Sequence, residues 1–103
     1  MISSQDVSAR RKAFRQLHQS GCFVIPNPWD RGSARYLQRL GFKALASTSS
    51  GAAWSVGKAD GQLTLDETLA HLREMVEATD LPVNADFEAG FADDAAGVAR
   101  NVR

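Results

Sequence analysis

Three polar clusters each follow an apolar run that reads as a strand: Asn27-Pro28-Trp29-Asp30, Ser47-Thr48-Ser49-Ser50-Gly51 and Asp86-Phe87-Glu88-Ala89-Gly90. In the third, two carboxylates stand two positions apart. Side chains alternate along extended chain, so Asp86 and Glu88 point to the same side. A carboxylate pair offers concentrated negative oxygen, and taken alone it reads more readily as a surface loop or a helix cap. Its place at a strand end beside Gly90 favours a site. The second cluster is small and polar, which lets backbone approach a ligand closely, although the same composition describes a flexible loop. Asp60, within Gly57-Lys58-Ala59-Asp60-Gly61, is by itself a turn aspartate.

The elements that position these clusters follow from local patterning. Between Ser4 and Ser20 the residues Val7, Phe14 and Leu17, with Ala13 beside them, recur at helical intervals before Gly21. The other face carries Arg10, Arg11, Lys12 and Arg15, which reads as a solvated helix face rather than a nucleic-acid patch. Cys22-Phe23-Val24-Ile25 is a short apolar run bounded by Gly21 and Pro26, the pattern of a strand buried on both faces. Asp30 is placed to cap a helix with apolar Ala34, Leu37 and Leu40, stopped by Gly41. Phe42 to Ala46 reads as a second strand running into the Ser47–Gly51 loop.

Thr64-Leu65-Asp66-Glu67 is a capping box, in which a hydroxyl and a carboxylate satisfy two orphan backbone donors. Leu65, Leu69, Leu72 and Val76 then form a stripe, with Met75 alongside, and Asp80-Leu81-Pro82 ends the helix. Val83 to Asp86 is the third strand. Asp93 is placed to cap a last helical segment through Ala95, Ala96, Val98, Ala99 and Val102. The predicted strands lie near Phe23–Pro26, Ala44–Ser47 and Val83–Asp86, alternating with helices and without hairpin signals. Alternation of this kind implies parallel strands joined by crossovers, hence an α/β fold.

Composition bounds the rest. With 103 residues the chain is one domain, or part of one, and 44% hydrophobic content with 23% charged residues places it among folding sequences. Twelve Lys and Arg balance twelve Asp and Glu, so no overall field draws it to nucleic acid or to a membrane surface. The single cysteine, Cys22, forms no internal disulfide, and no apolar run resembles a signal or a membrane span. These features are those of a soluble cytoplasmic protein.

The ordered series NPWDRGSARYLQRLGFKALASTSSGAAWSVGKADGQLTLDE, followed by DLPVNADFEAGF, closely resembles the opening of the phosphoenolpyruvate mutase/isocitrate lyase family, over about Phe14 to Arg103. The resemblance implies a (β/α)₈ barrel that uses Mg²⁺ to handle a small α-keto, 2-hydroxy or phosphoenol acid through an enolate-like intermediate. In such a barrel the loops after the strands share the face where ligands bind. By the same resemblance Asp86 matches the first aspartate of the family's Asp-x-Asp metal motif. Glu88 falls where the second usually stands, longer by one methylene, so its contact with the ion is direct or through water. Ser49 or Ser50, with Gly51, matches the segment that cradles the substrate carboxylate. Asp60 matches a loop aspartate near the metal, taken here as catalytic. Trp29 bears on the ligand pocket or on the barrel mouth. Trp54 is assigned to packing, and neither His18 nor His71 has a metal-ligand partner at suitable spacing.

A barrel of this type needs about 200 to 250 residues. The chain therefore reads as an N-terminal helix plus about three of eight strand–helix units, truncated and inactive alone. The family's later carboxylates and its Lys-Lys-Cys-Gly-His type of loop are not in the sequence, and Cys22 stands at the wrong end of the first strand to replace it. The resemblance implies a homo-oligomer for full-length relatives, and a second chain completing the barrel would restore activity. The alternative is a non-catalytic fragment or interaction module.

Overall fold

The structure, a computed structural model, describes residues 2–103. The chain order is α1 (Ser4–Leu17), α2 (Arg31–Arg39), β1 (Leu45–Ala46), α3 (Ser49–Ser55), α4 (Leu65–Ala78), β2 (Val83–Asn84) and α5 (Ala95–Val102). Helix starts are written in local chemistry. Asp30 Oδ1 accepts from the Ser33 N–H at 2.8 Å, and at the start of α4 the Thr64 hydroxyl and the Glu67 carboxylate form the reciprocal box. For α5 the cap is Asp94 rather than Asp93, its carboxylate accepting from Gly97 N–H at 2.7 Å. Gly41 closes α2 with φ 94°, a backbone conformation that disfavours any side chain.

The strands β1 and β2 pair in parallel, Leu45 opposite Val83 and Ala46 opposite Asn84, with α4 in the connection between them. This is the crossover α/β arrangement that the alternation of patterns predicts. Two corrections concern the segments around it. Residues 23–26 form no strand: Val24 is 64% exposed, Cys22 is exposed rather than buried, and one bond from Ala46 N–H to Pro26 O at 3.0 Å joins the segment to β1. Pro26 and Pro28 have no N–H to extend a ladder, so the extended chain stays a single-bond neighbour. The stretch Ser47–Gly51 is not all loop either. The Thr48 hydroxyl accepts from Gly51 N–H at 3.1 Å and starts α3, whose buried Gly51, Ala52 and Ala53 are small enough to pack closely.

Ala34, Leu45, Met75 and Ala78 form the core, with Leu37, Leu81 and Val83 packed against it, so α2 and α4 cover the two strands. A polar pin locks the same helices at one end. Thr79 Oγ1 donates to Gln38 Oε1 at 2.7 Å and Asp80 N–H to the same oxygen at 3.1 Å, ending α4 ahead of Pro82. By contrast α1 buries no residue. Arg10, predicted to be solvated, is half-buried and donates to Val76 O at 2.9 Å, which attaches α1 to the end of α4. Among the described residues no helix is long and apolar enough to cross a membrane.

Candidate functional site

The carboxylate of Asp86 sits just past the end of β2, where parallel pairing with β1 brings it opposite the start of α3. Its Oδ2 accepts from Ser49 N–H at 3.1 Å and its Oδ1 from Glu88 N–H at 3.2 Å. The Asp86 N–H in turn donates to the buried Ser47 hydroxyl at 2.8 Å. The segments following the two strands are thus stitched together by side chain–backbone bonds that span 37 and 39 positions in sequence. The Ser49 N–H holds the Asp86 carboxyl below the usual aspartate range, with Glu88 N–H adding to the effect and partial burial opposing it. At neutral pH Asp86 is an anion.

The backbone then turns sharply. Glu88 has φ 49° and Phe91 φ 57°, left-handed conformations that residues with side chains enter only when their surroundings hold them there. Here the holder is α5. Asn101 Nδ2 donates to Gly90 O at 2.8 Å and to Phe91 O at 3.2 Å, and a Cβ at Gly90 would lie 2.7 Å from Val98 Cγ1. The result is that Ser47, Ser49, His71, Asp86 and Glu88 line one small cleft, with Gly61 at its edge.

Of the residues that sequence singles out, Ser49, Asp86 and Glu88 face this cleft. Ser50 lies in the first turn of α3, outside it. Gly51 is buried beneath Trp29, so closely that a Cβ there would be 2.3 Å from Trp29 Cδ1. Trp29 itself lines the adjoining hollow between α3 and α4, stacked edge-on against Trp54 with ring centres 5.8 Å apart. Asp60 is exposed in the Ala59–Gln62 turn, next to Gly61 but not lining the cleft. Sequence reasoning missed Ser47, His71 and Asn101, because each bonds to backbone distant in the chain. His71 Nε2 lies 2.8 Å from Trp29 O. A wider apolar hollow between α1 and β2, lined by Phe14, Val76 and Val83, includes neither carboxylate.

Asp86 and Glu88 supply hard, ionisable oxygen. Among the described residues no group of three or more His, Cys, Asp and Glu side chains is gathered to hold a metal. A pair suits Mg²⁺, which is usually bound through one or two protein carboxylates and keeps waters or substrate oxygens for its other positions. It does not suit a metal that demands a closed protein cage.

Crossover-linked parallel strands with carboxylates and small residues at their ends define an α/β chain of the type that places ligands beyond its strands. The comparisons say which one. The sequence profile of the family described as phosphoenolpyruvate phosphomutase matches residues 14–103. The chain is 40% identical over 82 residues to 2,3-dimethylmalate lyase of Eubacterium barkeri, covering 78% of this chain and 28% of that enzyme. It is 35% identical to 2-methylisocitrate lyase of Escherichia coli K12, covering 89% and 32%. A crystal structure of a lyase/mutase candidate from Burkholderia cenocepacia J2315 superposes with TM-score 0.91 at 46% identity, covering 94% of this chain and 35% of that one. The chain belongs to the phosphoenolpyruvate mutase/isocitrate lyase family, and it spans about a third of the length of the relatives it matches.

Proposed function

We propose that this chain carries the metal- and acid-binding end of a Mg²⁺-dependent lyase or mutase whose complete form is a (β/α)₈ barrel, contributing its N-terminal helix and two paired parallel strands with the helices around them. The observation that carries the reading is the Asp86 carboxylate, held ionised at a strand end by two backbone N–H groups and flanked by Glu88 in the same cleft. Asp86 would hold the ion, with Glu88 beside it directly or through water. When bound, the ion supplies the positive charge that stabilises an enolate-like oxyanion. The chain's own residues bind and orient the acid. Two N–H groups of the first turn of α3 are already engaged, Ser49 by Asp86 and Gly51 by Thr48. Within the cleft, carboxylate capture therefore falls to the Ser49 hydroxyl, while Trp29, from the adjoining hollow, backs the Gly51 turn that carries it. Asp60 is the acid/base group only if its turn folds inward over the bound acid.

The substrate class is a small α-keto, 2-hydroxy or phosphoenol acid. Turnover belongs to the complete barrel, to whose site these residues contribute one part. The test takes that barrel and follows keto-acid release from 2-methylisocitrate, 2,3-dimethylmalate and oxaloacetate with and without EDTA. Release that needs Mg²⁺ and vanishes in Asp86→Ala is the expected result. Release that survives either EDTA or Asp86→Ala overturns the assignment.

A further inference from the structure

Trp29 is fixed at both ends of its backbone. Its N–H donates to Ser33 Oγ at 3.1 Å, within the cap of α2, and its carbonyl faces His71 Nε2 at 2.8 Å from the middle of α4. A carbonyl only accepts, so Nε2 carries the proton and His71 is the donor. The indole lies on Gly51 with no room for a methyl group between them, and Gly51 belongs to the same first turn as Ser49, whose N–H holds Asp86. His71 also forms the wall between the cleft of Asp86 and the hollow of Trp29, since it lines both. One contact therefore joins three segments far apart in sequence.

We infer that His71 is a positioning residue: by donating to the Trp29 carbonyl it seats the indole on Gly51 and so fixes the turn whose Ser49 N–H orients Asp86. This rests on the proposed function for its catalytic meaning, but the positioning itself does not. Without the donor, Trp29 itself is held only through its N–H on the α2 side, the next tether back along the loop being the Pro26 carbonyl on β1, and the indole lifts away from Gly51. Replacing His71 by Leu keeps the bulk and removes the donor. Gln keeps an amide N–H at nearly the same reach, and Asn places the amide about one methylene too short.

The two tryptophans of the chain make the test optical. In a Trp54→Phe background the remaining indole reports on position 29, through its emission maximum and its quenching by acrylamide. Gly51→Ala, which displaces the indole directly, gives the signal of the lifted state. Losing a hydrogen bond of ordinary net strength raises the lifted population about 2- to 10-fold. The expected result is that His71→Leu moves emission and quenching toward the Gly51→Ala signal and that His71→Gln restores them. Should the Leu variant fail to fold, Asn against Gln carries the same contrast. Equal signals in the Gln and Asn or Leu variants, or none differing from wild type, overturn the inference. Calorimetric titration of the assembled barrel with Mg²⁺ and oxalate then separates the two ideas. An optical shift without any wild-type Mg²⁺ binding sinks the proposed function and leaves the positioning role standing.

Discussion

The two ends of this molecule are held by different means. At the cleft, segments well separated in sequence interlock through short polar contacts: Ser47 with Asp86, Asp86 with Ser49 and His71 with Trp29 across 37 to 42 positions, and Asn101 with Gly90 across 11. At the opposite end α1 buries nothing, and it is tied down by Arg10 and by the edge-on contact of Phe14 with Phe23. The difference is physical rather than decorative. A carboxylate that must stay charged and aimed needs donors in fixed places, which costs conformational freedom in every segment that supplies one. A helix that only shields the ends of strands needs no such placement. The cleft should therefore be intolerant of sub-ångström changes that α1 absorbs.

Both ends hang on one core, and that gives the largest expected effect. Met75→Ala removes a fully buried side chain from the α2–α4–β1 cluster and is expected to cost about 2–5 kcal/mol, read as a lower denaturation midpoint with unchanged slope. Next comes Gly51→Ala, whose methyl would meet Trp29 Cδ1 at 2.3 Å and Thr48 Cγ2 at 2.6 Å. Overpacking of this kind costs about 1–3 kcal/mol. The matched change on the other side is Arg10→Ala, which frees two carbonyls to water and is expected to cost about 1 kcal/mol. Hydrogen exchange should show α1 opening in Arg10→Ala with α3 and α4 still protected. Protection lost equally across the chain would erase the distinction between the two ends.

Acid separates them as well. Because the folded Asp86 lies below its ordinary value, its contribution is complete above about pH 4 and is lost as pH falls through the folded pKa. Asp86→Asn should therefore flatten the acid side of the stability profile at the cleft. Asp6 and Asp30 are lowered in the same direction by their cap donors, and Glu67 by the Lys58 ammonium first and its cap N–H second, so a residual acid slope remains in that variant. A profile identical to wild type below pH 4 would mean that Asp86 is not held as its two N–H partners imply.

What the sequence discloses follows the range of each interaction. Asp30 and Thr64 announce their helices because a cap bonds three residues away. Asp86 and Glu88 both line the cleft, but not through the alternation of extended chain that the sequence suggests: β2 ends at Asn84, and Glu88 reaches the cleft from a left-handed turn. Residues 23–26 mislead because a strand is defined by its neighbours, and Pro26 withholds the donor that would extend the pairing. Ser47–Gly51 misleads differently: small residues suit a loop and a tightly packed helix start alike, and only burial against Trp29 decides. His71 carries no signal at all, since its partner is a carbonyl 42 positions away that any residue would present.

The smallest effect expected is also the one that most directly tests whether the cleft trades stability for placement. Glu88 holds φ 49°, which costs a side-chain residue about 1 kcal/mol relative to glycine, while its N–H completes the pair on Asp86. Glu88→Gly relieves that strain but gives the unfolded chain about 0.4–1 kcal/mol more entropy to lose, so the net gain in stability should be a few tenths of a kcal/mol at most. Glu88→Ala keeps the strain and loses the carboxylate, and should be no more stable than wild type. If Glu88 serves the ion as proposed, both variants weaken Mg²⁺ binding in the assembled barrel equally, whereas only glycine raises the denaturation midpoint. Glycine that leaves stability unchanged but abolishes Mg²⁺ binding, with alanine retaining it, would assign the importance of position 88 to its backbone angle rather than to its carboxylate.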